Sequence, residues 1–423
     1  MQKKYKNIIY ASLGGILEFY DFVLFAFFLD IFAKVFFPQN DTFWMQINAY
    51  IAFGAAYLAR PFGSIVMAHF GDRYGRKNIF YISMLFMVLP SFALVFLPSF
   101  ALVFLPSYES IGILATLILF LIRILQGLAV GTEVSGAWVY VSEFVKGRQV
   151  PLALGFISAT LTIGLLLGNL ATLGIRSYFS AQEVEEYAWR IPFIVGGFFG
   201  FFALFLRTKL SETPEFERIK KENRLLNFPL KDALKTYKTS MLVCFLMTVV
   251  LTSGVATLMI LPKYLEELLS INKTSALWIQ NFAILAVILG ALIQGILASK
   301  WGSYRICSIF SITFMFFGML FSFYDANFLF YFLLACFAQG IITFAPVFMT
   351  QIFKSELKFS GLSFAYNISY ALLGFLTPFI VNAFYKEYMG VYLMVVGCCS
   401  LFSVFLLKRI FARSEAKELS VVF

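Results

Sequence analysis

Arg60-Pro-Phe-Gly-Ser-Ile-Val-Met-Ala-His-Phe-Gly-Asp-Arg-Tyr-Gly-Arg-Lys77 joins one long apolar run to another. A stretch flanked in this way reads as the end of one helix, a very short loop over residues 71–77, and the start of the next. Gly71 and Gly75 suit a tight reversal because glycine adopts backbone angles closed to other residues. Asp72, Arg73, Arg76 and Lys77 then place a dense charge cluster where the chain leaves the apolar phase.

The rest of the chain has the composition that this reading requires. Its 423 residues are 61% hydrophobic and 13% charged, against about a quarter charged in soluble domains. Runs of about 20 apolar residues cross a bilayer as helices, and helices satisfy their own backbone polar groups in lipid. Twelve such runs are expected, at residues 8–37, 44–70, 78–106, 111–142, 150–177, 189–208, 239–262, 274–298, 304–324, 327–353, 358–385 and 388–408. The fold class is therefore an all-α polytopic membrane protein with twelve transmembrane helices. The first run is too long for a cleaved signal peptide and reads as the first span.

The net charge of +10 does not call for a nucleic-acid partner. With both termini on the cytoplasmic face, most of the 33 Lys and Arg residues fall in cytoplasmic segments, as the positive-inside rule requires. The five cysteines lie in apolar runs with no metal or disulfide spacing, and His69 is the only histidine. No cofactor or metal is expected. The chain has no H-E-x-x-H, nucleophile elbow or phosphate-cradling loop, which argues against an enzyme.

The longest polar segment follows the sixth run. It divides the chain into a six-helix half at 1–208, a cytoplasmic linker at 209–238, a second six-helix half at 239–408 and a cytoplasmic tail at 409–423, with the halves expected as pseudo-symmetric repeats. Gly295-Ile-Leu-Ala-Ser-Lys-Trp-Gly-Ser-Tyr-Arg305 faintly echoes the first-half loop, with Ser299 where an aspartate would match Asp72. One irregularity is a repeated octapeptide, Ser91-Phe-Ala-Leu-Val-Phe-Leu-Pro98 and again residues 99–106. Its two prolines disfavour one unbroken helix, so the surplus is expected at the outer end of span 3.

Ionisable residues inside a membrane are costly and usually functional. Span 1 carries Glu18 and Asp21, three apart and on one face. Span 4 carries Arg123, Gln126 and Glu133. An Asp21–Arg123 or Glu18–Arg123 pair would form a proton switch, because a nearby guanidinium favours the carboxylate and separation favours the acid. Glu133 is a third candidate for proton coupling. The alternative is a fixed ion pair that holds the first half together. Gly164 and Gly168 make a small-residue face for close helix contact.

Several motifs carry a family resemblance. Gly14-Gly-Ile-Leu-Glu-Phe-Tyr-Asp-Phe22, the stretch at 60–77, the segment 123–137, Trp189-Arg-Ile-Pro-Phe193, Ser211-Glu-Thr-Pro-Glu-Phe216, Leu261-Pro-Lys-Tyr-Leu265 and Gly361-Leu-Ser-Phe-Ala-Tyr-Asn-Ile-Ser-Tyr370 occur in order. They resemble the metabolite:proton symporter branch of the major facilitator superfamily. The resemblance implies a bacterial inner-membrane carrier of proline and betaine, 2-oxoglutarate, citrate or related metabolites, functional as a monomer. It implies that spans 1 and 4 line a central cavity, and that Asp72, Arg73, Arg76 and Glu143 form a cytoplasmic gating network. Thr132 departs from the branch, which usually has glycine there. The tail lacks the long coiled-coil extension of some osmosensory members, so osmotic gating by that device is not expected.

Arg123, Tyr20, Gln126, Asn367 and Tyr370 are the expected substrate contacts. Of the four cavity charges read from the sequence, only Arg123 is positive, and a desolvated di- or trianion usually needs several cations. A zwitterion needs fewer. The expected cargo is therefore proline- or betaine-like, with an organic acid as the alternative should Arg60, Arg190 or Lys263 reach the cavity.

Overall fold

The computed structural model describes residues 2–38, 42–77, 107–321, 327–339 and 341–413. The side chains of Glu18, Lys263 and residues 377–389 are among those outside the description, as is all of span 3 with its repeated octapeptide. Among the described residues, eleven helical segments are long and apolar enough to cross a membrane. With the apolar run at 78–106 they make the twelve-span architecture. The end of the bundle that carries the N-terminus and the linker is called the inner end below, and the opposite end the outer.

Span 2, Thr42–Tyr74, is the first correction to the sequence reading. The expected loop over 71–77 is largely helix, and the reversal is concentrated at Gly75, which has φ +118°. A side chain there would be strained by the backbone and would meet the Glu212 carboxylate.

Close helix crossings follow the glycines. Gly127 and Gly131 of span 4 lie against the carbonyls of Ala56 and Arg60 on span 2, and Gly63 lies against that of Leu128. Gly164 and Gly168 of span 5, Gln149–Tyr178, receive span 1 at Ile16, Phe19, Tyr20 and Val23, in the packing role expected of them. Small residues allow this approach where lipid gives no hydrophobic drive for association.

Span 4 is broken, where the sequence suggested a continuous helix. It divides into Ile113–Val130 and Glu133–Ser142. At the break the Gly131 carbonyl accepts from Asn367 Nδ2 in the other half.

Helical residues run from Lys358 to Arg413, far more than one crossing of a bilayer needs. Their contacts show two antiparallel spans. Ser360, Asn367 and Gly374 meet Asp72, Arg60 and Tyr57, climbing from the inner end of span 2. Leu393, Ser400 and Lys408 then meet Gly318, Ser311 and Tyr304, descending along span 9, Ser303–Phe321.

The halves close on each other at the inner end. Gly155 of span 5 packs on Ala291 and Gly295 of span 8, Lys273–Trp301. Ser158 Oγ donates to the Ile342 carbonyl at 3.1 Å, and the Ser135 and Ser363 hydroxyls are 2.7 Å apart.

Candidate transport pathway

Two cavities lie along the interface between the halves. The outer one, a vestibule of about 260 Å³, is lined from one half by Asp30, Gln46, Ala49, Tyr50, Phe53 and Tyr57, and from the other by Met259, Pro262, Glu266, Lys273 and Gly374. At its rim Lys273 Nζ reaches across to Asp30 at 2.7 Å, and Arg176 holds the same carboxylate at 2.8 Å. The inner cavity is about 20 Å³, room for about one water. Phe19, Trp138, Ser158, Thr162, Leu251, Tyr366 and Tyr370 are among its walls, and no charged side chain among the described residues lines it. Trp138 Nε1 is buried there with no hydrogen-bond partner among the described residues, and the Tyr370 hydroxyl is buried beside Tyr366.

Arg60 packs on Tyr57, Tyr366 and Tyr370, which are walls of the two cavities, without itself lining either. It is buried, donates to Asn367 Oδ1 at 3.0 Å and to the Tyr366 hydroxyl at 3.4 Å, and lies 4.4 Å from the Tyr370 ring centroid. The sequence placed Arg60 inside span 2 but could not supply its partners, which are some 300 residues away. Asn367 also donates to the carbonyls of Gly131 and Ser363. Its amide therefore ties the halves together in this conformation.

The span 1 and span 4 residues come together inside the first half. Arg123 donates to Gln126 Oε1 at 2.8 Å, and Gln126 Nε2 reaches Asp21 Oδ2 at 3.5 Å. The expected Asp21–Arg123 partnership thus runs through an amide. Asp21 Oδ1 is buried with no hydrogen-bond partner among the described residues. The Arg123 guanidinium also lies 4.0 Å from the Phe25 ring centroid and faces the carbonyls of Ala52 and Phe53. Tyr20 turns to span 6, donating to the Pro192 carbonyl at 3.0 Å. Neither Tyr20, Arg123 nor Gln126 lines either cavity; of the expected substrate contacts, only Tyr370 does.

Glu133 is paired elsewhere. It forms a buried salt bridge with Arg207 at the end of span 6, and Gly14 of span 1 leaves the room that the guanidinium occupies. The sequence reading gave Arg207 no role. Its position inside the apolar run 190–208 was the available signal. The Glu18 side chain is outside the description.

At the inner end the expected charge network assembles, with one exception. Arg76 lies 3.0 Å from Asp72 and 3.4 Å from Glu143, and donates to the Ser355 carbonyl of the second half at 2.8 Å. Asp72 Oδ2 accepts from the Ser360 N–H at 2.8 Å, also across the interface. Arg73 is exposed and stands outside this network. Two linker residues belong to it. Thr213 Oγ1 donates to Glu143 at 2.6 Å, and Glu212 accepts from the backbone N–H groups of Arg76 and Lys77. Burial pushes the Glu212 carboxyl up, against the downward pull of the N–H groups of Thr213, Lys77 and Arg76 and the Arg76 charge.

Two helical bundles, locked at one end and separated by a vestibule at the other, define a membrane transporter. A family model described as Major Facilitator Superfamily matches residues 11–378, and the chain belongs to that superfamily. It is 29% identical over 436 residues to the glycine betaine/proline/ectoine/pipecolic acid transporter OusA of Dickeya dadantii, covering 96% of this chain and 83% of the relative. It is 27% identical over 419 residues to the inner membrane metabolite transport protein YhjE of Escherichia coli, covering 95% and 93%. Among solved structures, the proton:xylose symporter XylE bound to 6-bromo-6-deoxy-D-glucose shares the fold, with TM-score 0.78, 16% identity and 96% coverage of each chain.

Proposed function

We propose that this transporter is a proton-coupled symporter that imports a small zwitterion of the proline or betaine kind by alternating access. It works as a monomer in a bacterial inner membrane, with both termini in the cytoplasm. Residues 1–208 and 239–408 move as two bodies joined by the linker at 209–238, with the tail at 409–423 outside the moving parts.

The observation that carries the cargo reading is the inner chamber. Its walls are aromatic, hydroxylic and aliphatic, and among the described residues no charged side chain lines it. A zwitterion brings no net charge into such a site. Its cationic end is attracted to the faces of Trp138, Tyr366 and Tyr370, and its carboxylate is suited to Trp138 Nε1, the Tyr370 hydroxyl or Arg60. A dicarboxylate would enter at a large desolvation cost. The chamber as it stands is too small for either solute and must widen as the halves rock. The name of the OusA relative points to the same class of cargo.

Asp21 is the proposed proton site, with Gln126 linking it to Arg123. Asp72, Arg76 and Glu143 are the proposed inner latch, joined by Glu212 and Thr213. Arg60 favours a second reading, since Arg60 and Arg123 together would suit an organic acid such as 2-oxoglutarate or citrate. Uptake into proteoliposomes under an inward proton gradient separates the two. Accumulation of proline or glycine betaine is expected, and accumulation of only 2-oxoglutarate or citrate would reverse the assignment.

A further inference from the structure

The vestibule and the inner chamber are separated by two tyrosines, one from each half. On span 2, Gln46, Ala49, Tyr50, Phe53 and Tyr57 line the vestibule. These positions share one helical face, and Tyr57 is the innermost of them. On span 11, Gly374 lines the vestibule, whereas Tyr370, one turn further in, lines the chamber. The rings of Tyr57 and Tyr370 stack between the two spaces, with centroids 6.1 Å apart and planes within 8° of parallel. Tyr366 backs Tyr370 at 4.7 Å between centroids. The Arg60 guanidinium carbon lies 4.4 Å from the Tyr370 centroid and 6.0 Å from that of Tyr57.

Gly374 makes this arrangement possible. A Cβ at that position would run into the Tyr57 ring, so the glycine allows the tyrosine to lie across the floor of the vestibule. The partition therefore combines a ring from the first half, a ring from the second and a glycine that seats the first ring.

We propose that the Tyr57–Tyr370 stack is the outer gate of the substrate chamber, closed in this conformation and parted when the halves separate at the outer end. The inference rests on the reading that solute enters through the vestibule. Because each half supplies one ring, a rigid rocking motion opens the gate without unfolding a helix. Tyr370 belongs to both spaces, as a leaf of the gate on one side and a wall of the chamber on the other. Gate opening thus reshapes the site that receives the solute.

The test needs no transport assay, so it fails independently of the cargo and proton readings. Cysteine replaces Thr162, which lines the chamber, or Gln46, which lines the vestibule. Intact cells carrying the full-length protein are treated from outside with a membrane-impermeant sulfonated maleimide. Labelling is quantified peptide by peptide, with the buried native Cys244 as a folding control. Thr162→Cys is expected to label slowly in the parent. Tyr57→Leu or Tyr370→Leu should each speed it about five- to tenfold, the shift that losing one aromatic pair gives. Tyr57→Phe, which keeps the stack, should leave the rate unchanged, as should every variant for Gln46→Cys. An unchanged Thr162→Cys rate in both leucine variants overturns the proposal. So does an acceleration that appears only with labelling of Cys244, because that reports unfolding.

Discussion

Arg60, Arg76, Arg123 and Arg207 are buried, and their partners give each a different task. Arg207 holds Glu133 between spans 4 and 6, far in the pattern of contacts from Asp21 and Gln126. This pair is expected to be structural. Removing one member of a buried ion pair typically costs about 3–5 kcal/mol, whereas replacing both by apolar residues is often neutral. Arg207→Leu alone should therefore lower the melting midpoint of the purified protein sharply, and Glu133→Leu with Arg207→Leu should recover most of the loss. If the double variant regains its stability and still accumulates solute, Glu133 is not a proton carrier. Arg123 is different, because its link to Asp21 passes through a neutral amide that can adjust as Asp21 changes charge. Gln126→Leu should weaken proton-driven accumulation while leaving the fold intact, read as initial uptake against melting midpoint.

The candidate residues were unevenly legible. Asp72, Arg76 and Glu143 were grouped by the family resemblance of the stretches that carry them. Asp21 and Arg123 stood out because charges inside apolar runs are costly. Arg207 was obscured by the cationic linker that follows it. Tyr57 carried no signal at all, since its gate-like position depends on Tyr370 and Gly374 from the other half.

At the scale of elements, glycine placement decides which helices touch. Gly127 has the Ala56 backbone carbonyl where a side chain would go, whereas Gly174 has nothing within 4 Å. Overpacking costs typically about 1–3 kcal/mol and more when backbone must shift. Gly127→Val should sharply reduce the yield of monodisperse protein, and Gly174→Ala should not, as size-exclusion profiles would show. The helix break in span 4 was not legible. Gly131 could have continued a helix, and its use at a break reflects the close pass of Arg60 and the amide of Asn367.

The linker provides a pH-dependent test at the same scale. The folded Glu212 carboxyl holds its proton to higher pH than an exposed one. Its contribution to stability is thus fully present below the ordinary carboxylate range and lost as pH rises through the raised value. Glu212→Gln carries no such loss. The difference in melting midpoint, variant minus parent, is therefore expected to grow as pH rises across that window. A difference that is flat with pH would remove the burial of Glu212 as its cause.

For the whole molecule, the sequence was most informative about architecture. Hydropathy placed spans 6, 8 and 9 within a few residues of Arg190–Thr208, Lys273–Trp301 and Ser303–Phe321, because the bilayer fixes both composition and length. It could not show that the halves meet at the inner end, a matter of contacts such as Arg76 with Ser355 and Asp72 with Ser360. In the proposed cycle these contacts break as the chamber opens inward, while the proposed outer gate and the Asp30–Lys273 bridge close the other side. The central claim is that this cycle moves a proton through Asp21 with each solute. The direct measurement is simultaneous recording of proton entry and labelled glycine betaine entry in proteoliposomes, for the parent and Asp21→Asn. The account predicts that betaine drives proton entry in the parent, and that Asp21→Asn loses proton entry and uphill accumulation but retains exchange of labelled for unlabelled solute. Uphill, proton-driven accumulation that persists in Asp21→Asn would contradict it.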